Sequence, residues 1–290
     1  MKVLLTGATG FLGSSLLNAL VKSNYDIIIL KRSFSDICRI KALSDYIISY
    51  DIDKTELERI FNNHKNIDAV IHTATCYGRK NESAAQILYS NSHFPLELLE
   101  LSAKYKVKSF INSATTLPHT KKGQMHHYTL SKRQFAQWGA YFCDRINFIN
   151  MKIAYMYGPY DDKNKFIPSL IESCIKNCAE FNLTAGGQKR DFVYIDDAVS
   201  AYLAVLNTET KNCCEYEIGS GTSISIKEAA LKIKEITKSN IKLNFGAVPY
   251  REEENTQMLL DVNKSSSLNW KAKYNFEDGI KKLISEEYQK

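Results

Sequence analysis

Val3-Leu4-Leu5-Thr6-Gly7-Ala8-Thr9-Gly10-Phe11-Leu12-Gly13 opens the chain with a short apolar run, a glycine-spaced turn and the start of an amphipathic segment. Leu12, Leu16, Leu17 and Leu20 recur at helical spacing, so the stretch predicts strand, turn and helix in succession. Gly7 suits the tight turn, Gly10 lets backbone approach a pyrophosphate, and Gly13 lets helix and strand pack closely. The helix N-terminus then faces the phosphates of a dinucleotide. The Gly-x-x-Gly-x-x-Gly spacing differs by one residue from the commonest dinucleotide fingerprint, and an ordinary strand-to-helix turn is the alternative. The flanking strand and helix favour the nucleotide.

Downstream, strand-like and helix-like segments alternate: Ile27 to Leu30, Tyr46 to Ser49, a helix near Leu57, Ala69 to His72, a long helix from Ala84 to Tyr105, Ser109 to Asn112, a helix from His127 to Cys143, then Phe148 to Ile153. This predicts an α/β chain with a Rossmann, doubly wound parallel sheet. Tyr157-Gly158-Pro159, Ile167-Pro168 and Gly186-Gly187 then interrupt the pattern. This punctuation suggests a smaller C-terminal substrate-binding lobe, and helices at Asp196 to Leu206 and Ile226 to Thr237, with strands at Glu215 to Ile218 and Ile241 to Phe245, complete the pattern. The expected division is 1–155 for the dinucleotide-binding domain, with later segments returning to it, and mainly 156–290 for the lobe.

The 290 residues carry a net charge of +6, but cations alternate with anions, as in Lys227-Glu228 and Lys234-Glu235. A nucleic-acid footprint would be clustered, so no nucleic-acid partner is expected. The seven cysteines follow no zinc-ligand spacing and read as reduced thiols. Cys174 and Cys178 share a helical face without a histidine, so burial is favoured over metal, and no metal site is expected. No apolar run approaches the ~20 residues of a membrane span, and Met1 leads directly into the first strand. The expectation is a cytoplasmic protein with no membrane partner.

At the end of the second strand of this fold, an acidic side chain accepts from the adenosine 2′-hydroxyl, whereas a basic one accommodates a 2′-phosphate. Here Ile27-Ile28-Ile29-Leu30 runs into Lys31-Arg32-Ser33, with no carboxylate until Asp36. Solvated loop charges are the alternative; beside the glycine turn, Arg32 reads as the main 2′-phosphate partner, helped by Ser33 and Lys31. That implies NADP(H). Asp51 and Ile52, after the third strand, are candidates to bracket the adenine.

Tyr128 and Lys132 stand four residues apart on the helix after the Asn112 strand, which puts phenol and ammonium on one face. A free phenol titrates near ~10, so a tyrosine acting at neutral pH needs its phenolate stabilised, by ~1.4 kcal/mol per unit lowered. A nearby ammonium and a positive nicotinamide ring supply that. Ser113, ending the preceding strand, reaches the same substrate oxygen, and Thr115 can substitute for it or add to it; a strand-end turn residue is the alternative for Ser113.

These motifs resemble the extended short-chain dehydrogenase/reductases of the NAD-dependent epimerase/dehydratase type over nearly the whole chain. Thr6 to Gly13, His72-Thr73-Ala74, Asn112 to Thr115, Tyr128 to Lys132, Tyr157-Gly158-Pro159, Gln188 to Asp197 and Ile218 to Gly221 follow the family's order. The resemblance implies that Thr9, Phe11, Leu12, Thr73 and Ala74 join the cofactor site. Thr73 to Arg79, Phe166-Ile167-Pro168 and Phe245 to Asn255 are similar to the CDP-paratose and CDP-abequose synthases, 4-ketoreductases of deoxysugar biosynthesis for surface polysaccharide such as the O-antigen of lipopolysaccharide. That likeness implies a nucleotide-sugar substrate near Thr75, Tyr77, Arg79, Asn91 and Phe166. It also makes Arg190 and Arg251 candidates for the diphosphate, with surface ion pairs as the alternative. Lys152 replaces the family's usual Arg. The family also suggests a homodimer through the two long helices.

The implied reaction is NADPH-dependent reduction of a 4-keto group, with Tyr128 giving a proton to O4. A 4,6-dehydratase would carry an Asp-Glu pair where Ala114-Thr115 stand. A 4-epimerase with retained NAD uses the same Tyr and Lys, and a non-catalytic NADP-binding regulator typically loses them.

Overall fold

Val3, Leu4 and Leu5 are wholly buried in β1 (Lys2–Thr6), the strand at which the sheet changes direction of growth. The computed structural model describes residues 1–117, 125–210, 213–250 and 260–289. After β1 come α1 (Phe11–Lys22), β2 (Asp26–Lys31), β3 (Ile47–Asp51), α2 (Leu57–Asn63) and β4 (Ala69–His72). Then follow α3 (Ala84–Leu88), a π-helical turn (Tyr89–His93), α4 (Phe94–Lys104), β5 (Ser109–Thr115), α5 (His126–Tyr141) and β6 (Asn147–Ile153). The later elements are β7 (Tyr155–Tyr157), α6 (Phe166–Ile175), β8 (Glu180–Leu183), β9 (Lys189–Tyr194), α7 (Ile195–Asn207), β10 (Cys214–Ile218), β11 (Ser223–Ser225), α8 (Ile226–Ile236), β12 (Lys242–Phe245) and α9 (Phe276–Glu287).

Two compact units result: Met1–Lys152 with Tyr202–Tyr216, and Ile153–Ala201 with Glu217–Lys290. The seven-stranded sheet has the order β10-β6-β5-β4-β1-β2-β3. β1 pairs in parallel with β2 on one side (Val3 opposite Ile27) and with β4 on the other (Thr6 opposite His72). This is the Rossmann arrangement expected from the sequence, and its switch point lies at the carboxyl end of β1, where the glycine turn begins. Parallel strands covered on both faces must be apolar throughout, which Ile27 to Leu30 and Ala69 to Ile71 are. Under the helices, Phe110, Phe135 and Phe148 pack with ring centroids 5.9 Å apart.

The second unit holds a three-stranded sheet, β11-β9-β7, and the pair β12-β8. Its core is aromatic: Tyr157 lies 5.5 Å from Tyr194 and 5.7 Å from Phe276, and Phe192 lies 5.3 Å from Phe276. Asp191 accepts from Ser220 and Gly221, and Asp197 from the backbone of Lys273 and Tyr274. These carboxylates of the Gln188 to Asp197 motif therefore tie loops down.

Two readings of the cysteines change. Cys178 does not continue the face of Cys174, because α6 ends at Ile175 and Asn177 takes a left-handed φ of 52°. The Cys178 N–H then bonds back to the Ser173 carbonyl, closing the helix end. Cys143 and Cys213, expected as separate thiols, come together with Cα atoms 5.6 Å apart, a disulfide spacing.

Candidate active site

Gly7 adopts φ 72°, and a Cβ there would lie 2.5 Å from the Ala74 nitrogen. A Cβ on Gly13 would lie 2.0 Å from the Gly7 carbonyl oxygen. The turn is thus pressed against β4 and α1 so tightly that only glycine fits at both places. α1 opens at Gly10 with no side-chain cap, leaving its N-terminus, with Thr9, Phe11 and Leu12 around it, as the anion-binding end that a pyrophosphate requires. These features fit a dinucleotide.

The wall beyond β4 is built by Thr6. Its hydroxyl meets His72 Nδ1 at 2.9 Å, the Ala74 N–H donates to it, and its carbonyl accepts from the Thr73 hydroxyl at 2.7 Å. Burial drives the His72 imidazole well below its usual range, keeping it neutral. Thr75 donates to the Thr73 carbonyl, so its hydroxyl also serves the loop.

At the end of β2 the expected partners are unequally available. Lys31 forms an ion pair with Asp51, its neighbour in the register of β2 and β3, and the Ile52 N–H bonds the Lys31 carbonyl. Ser33 donates to Asp53 through its N–H (2.7 Å) and its hydroxyl (2.6 Å), and these bonds hold the Asp53 carboxyl below the usual range. Arg32, stacked over Phe34 at 4.8 Å, has no carboxylate partner among the described residues. Asp53 has no strong sequence signal; it follows Asp51-Ile52 as an ordinary loop acid.

β5 and α5 carry Ser113, Tyr128 and Lys132. Lys132 is buried in the second turn of α5 and donates to the Ser113 carbonyl oxygen at 2.9 Å. Burial pulls its ammonium down to about 7. Tyr128, one turn earlier, is buried with its ring 4.9 Å from that of Tyr77, over which Arg79 stacks at 4.9 Å. Thr115 Oγ1 accepts from the Leu117 N–H. The Ser113 hydroxyl lies 2.5 Å from that of Tyr202, on α7. Tyr202 was not visible as a site residue: 89 positions separate it from Ser113, and only the fold brings them together.

Asn91 departs from expectation. Its side chain is wholly buried in the π-helical turn, accepting from the Cys76 N–H at 2.8 Å and donating to the Cys76 carbonyl at 2.8 Å and to Ser131 at 3.0 Å. Both donors and one lone pair of its oxygen are engaged by protein groups, so it holds the loop of Tyr77 and Arg79. Lys152 pairs with Glu215 at 2.5 Å. In the second unit, Arg190 is buried, donates to the Lys189 carbonyl and lies over the Tyr155 ring at 5.3 Å, while Phe166 neighbours Phe192. Arg251 lies outside the described residues. Among the described residues no cluster could hold a metal ion, and no helix is long and apolar enough to cross a membrane.

The chain is similar to the CDP-abequose synthase of Salmonella muenchen, 37% identical over 291 residues that cover 98% of this chain and 97% of that protein. It is 30% identical to the CDP-abequose synthase of Salmonella typhimurium, covering 97% of each. Among solved structures, the UDP-glucose 4-epimerase of Thermotoga maritima with UDP-glucose superposes with a TM-score of 0.86, at 25% identity and 98% coverage of both chains. Residues 3–219 match the NAD dependent epimerase/dehydratase family, and the chain belongs to it.

Proposed function

We propose that the protein is an NADP-dependent oxidoreductase that reduces the 4-keto group of a CDP-linked 4-keto-deoxyhexose in the cytoplasm. The observation that carries this reading is the Lys132 ammonium on the Ser113 carbonyl oxygen, with Tyr128 buried one turn earlier on α5, in a chain 37% identical to a CDP-abequose synthase. When bound, the reduced nicotinamide cofactor supplies hydride for C4. The glycine turn and the N-terminus of α1 hold its pyrophosphate, and Thr73 and Ala74 border it. Lys132 holds the nicotinamide ribose. Ser113 polarises the keto oxygen, and Tyr128 gives its phenolic proton to O4; Thr115 is a second hydroxyl for that oxygen.

Orientation comes from the sugar nucleotide's remote end, so binding energy far from C4 is used to align the carbonyl. Tyr77, Arg79, Thr75, Phe166, Arg190 and Arg251 are the residues proposed to bind that substrate. NADP(H) is favoured by Arg32, a guanidinium with no carboxylate partner among the described residues. We also read the exposed Leu88, Tyr89, Trp138 and Tyr141 as the face of a homodimer.

A second reading, 4-epimerisation with retained NAD, draws on Asp53 and Asp51, carboxylates that already occupy Ser33 and Lys31. Purified protein should oxidise NADPH in proportion to added CDP-linked 4-keto-3,6-dideoxyhexose. Interconversion of a saturated sugar nucleotide with no net NADPH consumption would replace the first reading by the second. Tyr128→Phe should lower turnover by about 100-fold or more, the usual range for a lost general acid.

A further inference from the structure

Tyr202 and Ser113 present two hydroxyl protons and one mutual hydrogen bond, 2.5 Å long. The side chain of Tyr202 is fully buried, and its hydroxyl makes no other hydrogen bond among the described residues, the Tyr77 phenol being near enough only for a weaker electrostatic effect. Were Ser113 the donor, the Tyr202 proton would be left in the core with no acceptor, which is unfavourable. With Tyr202 donating, the proton left over is that of Ser113, which retains 7% exposure. The direction of the bond is therefore fixed by burial: phenol O–H to Ser113 Oγ.

We propose that Tyr202 is a positioning residue that donates to Ser113 Oγ, so that the Ser113 proton points to the reacting oxygen of the substrate. This rests on the reading of Ser113 as the group that polarises the carbonyl. The Ser113 backbone is held separately, by Lys132 on its carbonyl oxygen. Lys132 thus sets where the serine sits, and Tyr202 sets where its hydroxyl faces. Burial also raises the phenol of Tyr202 well above the tyrosine range, so it stays protonated at any working pH. A donor that cannot ionise or turn away polarises the serine O–H in one direction, and linked hydrogen bonds of one sense strengthen each other.

The test is a double-mutant cycle on the full-length protein with Tyr202→Phe and Ser113→Ala, assayed with NADPH and the CDP-linked 4-keto sugar, or with the saturated sugar nucleotide if that is what the wild type turns over. Phenylalanine keeps the ring and its packing, and an unchanged unfolding midpoint verifies this. Tyr202→Phe should lower kcat by about tenfold with KM within twofold, less than the 10²–10³ lost with a direct oxyanion donor. In the Ser113→Ala background the same change should alter kcat by less than twofold. Equal losses in both backgrounds, or a normal kcat for Tyr202→Phe beside a slow Ser113→Ala, would overturn the role of Tyr202 alone. Near-normal turnover of Ser113→Ala would instead remove the serine reading, and this inference with it.

Discussion

Lys132 is the residue whose environment departs furthest from water while remaining within reach of neutral pH. Its ammonium sits near 7 when folded and near ~10.4 when unfolded. Below pH 7 both states bind the proton, and the folded one carries the full burden of burying it. Between 7 and ~10 only the unfolded state is protonated, so stability rises with pH, by up to about 1.4 kcal/mol per unit. Urea titrations of the apoprotein and of Lys132→Met should show the wild type gaining on the variant from pH 7.5 to 9 and no relative change from 5 to 6. A relative loss with rising pH would mean that the ammonium is stabilised by the fold. Asp53 gives a second test at this scale, because its charge lies on the donors proposed for a 2′-phosphate. Like charges repel, so Asp53→Asn should lower KM for NADPH by about fivefold and leave NADH unchanged. Better use of NADH alone would favour the retained-NAD reading.

At the scale of elements, what could be read in the sequence divides along periodicity. The glycine turn, β4 and the helices α1, α5 and α8 follow from local pattern, because each buries one regular face or is apolar throughout. β7 and β11 are three residues each, too short for any alternation, and α9 carries its apolar residues among charges at the C-terminal end. Among the proposed site residues, Ser113, Tyr128 and Lys132 could be picked out in the sequence because one strand and the next helix carry them. Tyr202 was not, since its partner comes from a distant segment, and the role of Asn91 depends on a π-helical turn that sequence spacing does not announce. That turn makes the long helical pattern from Ala84 three segments, α3, the turn and α4, with Asn91 at its centre clamping Cys76. Asn91→Ala removes three bonds and strands the Cys76 backbone groups, so it should cost about 2–3 kcal/mol in urea unfolding. Limited proteolysis should then cut first between residues 73 and 83; an unchanged cleavage pattern would show that the loop holds itself.

For the molecule as a whole, the strongest unspent feature of the first unit is aromatic. Trp138 and Tyr141 on α5 are 48% and 65% exposed, and they share a shallow groove with Leu88, Ser92, Gln134 and Gln137. Tyr89 adds a further half-exposed ring. Trp and Tyr concentrate binding energy where they are buried by a partner, and single exposed apolar residues are ordinary only when scattered. A symmetric pairing of this face would set α3 and α5 of one copy against those of the other, as expected for a two-fold dimer. The wild type should then sediment at about twice the 33.0 kDa of the chain at micromolar concentration. Trp138→Glu combined with Tyr141→Glu buries charge in that contact and should yield the monomer. Because a loss of helix would also abolish the contact, the variant must retain its far-ultraviolet circular dichroism. A folded double variant that still sediments as a dimer would move the interface elsewhere, and a monomeric wild type would remove it.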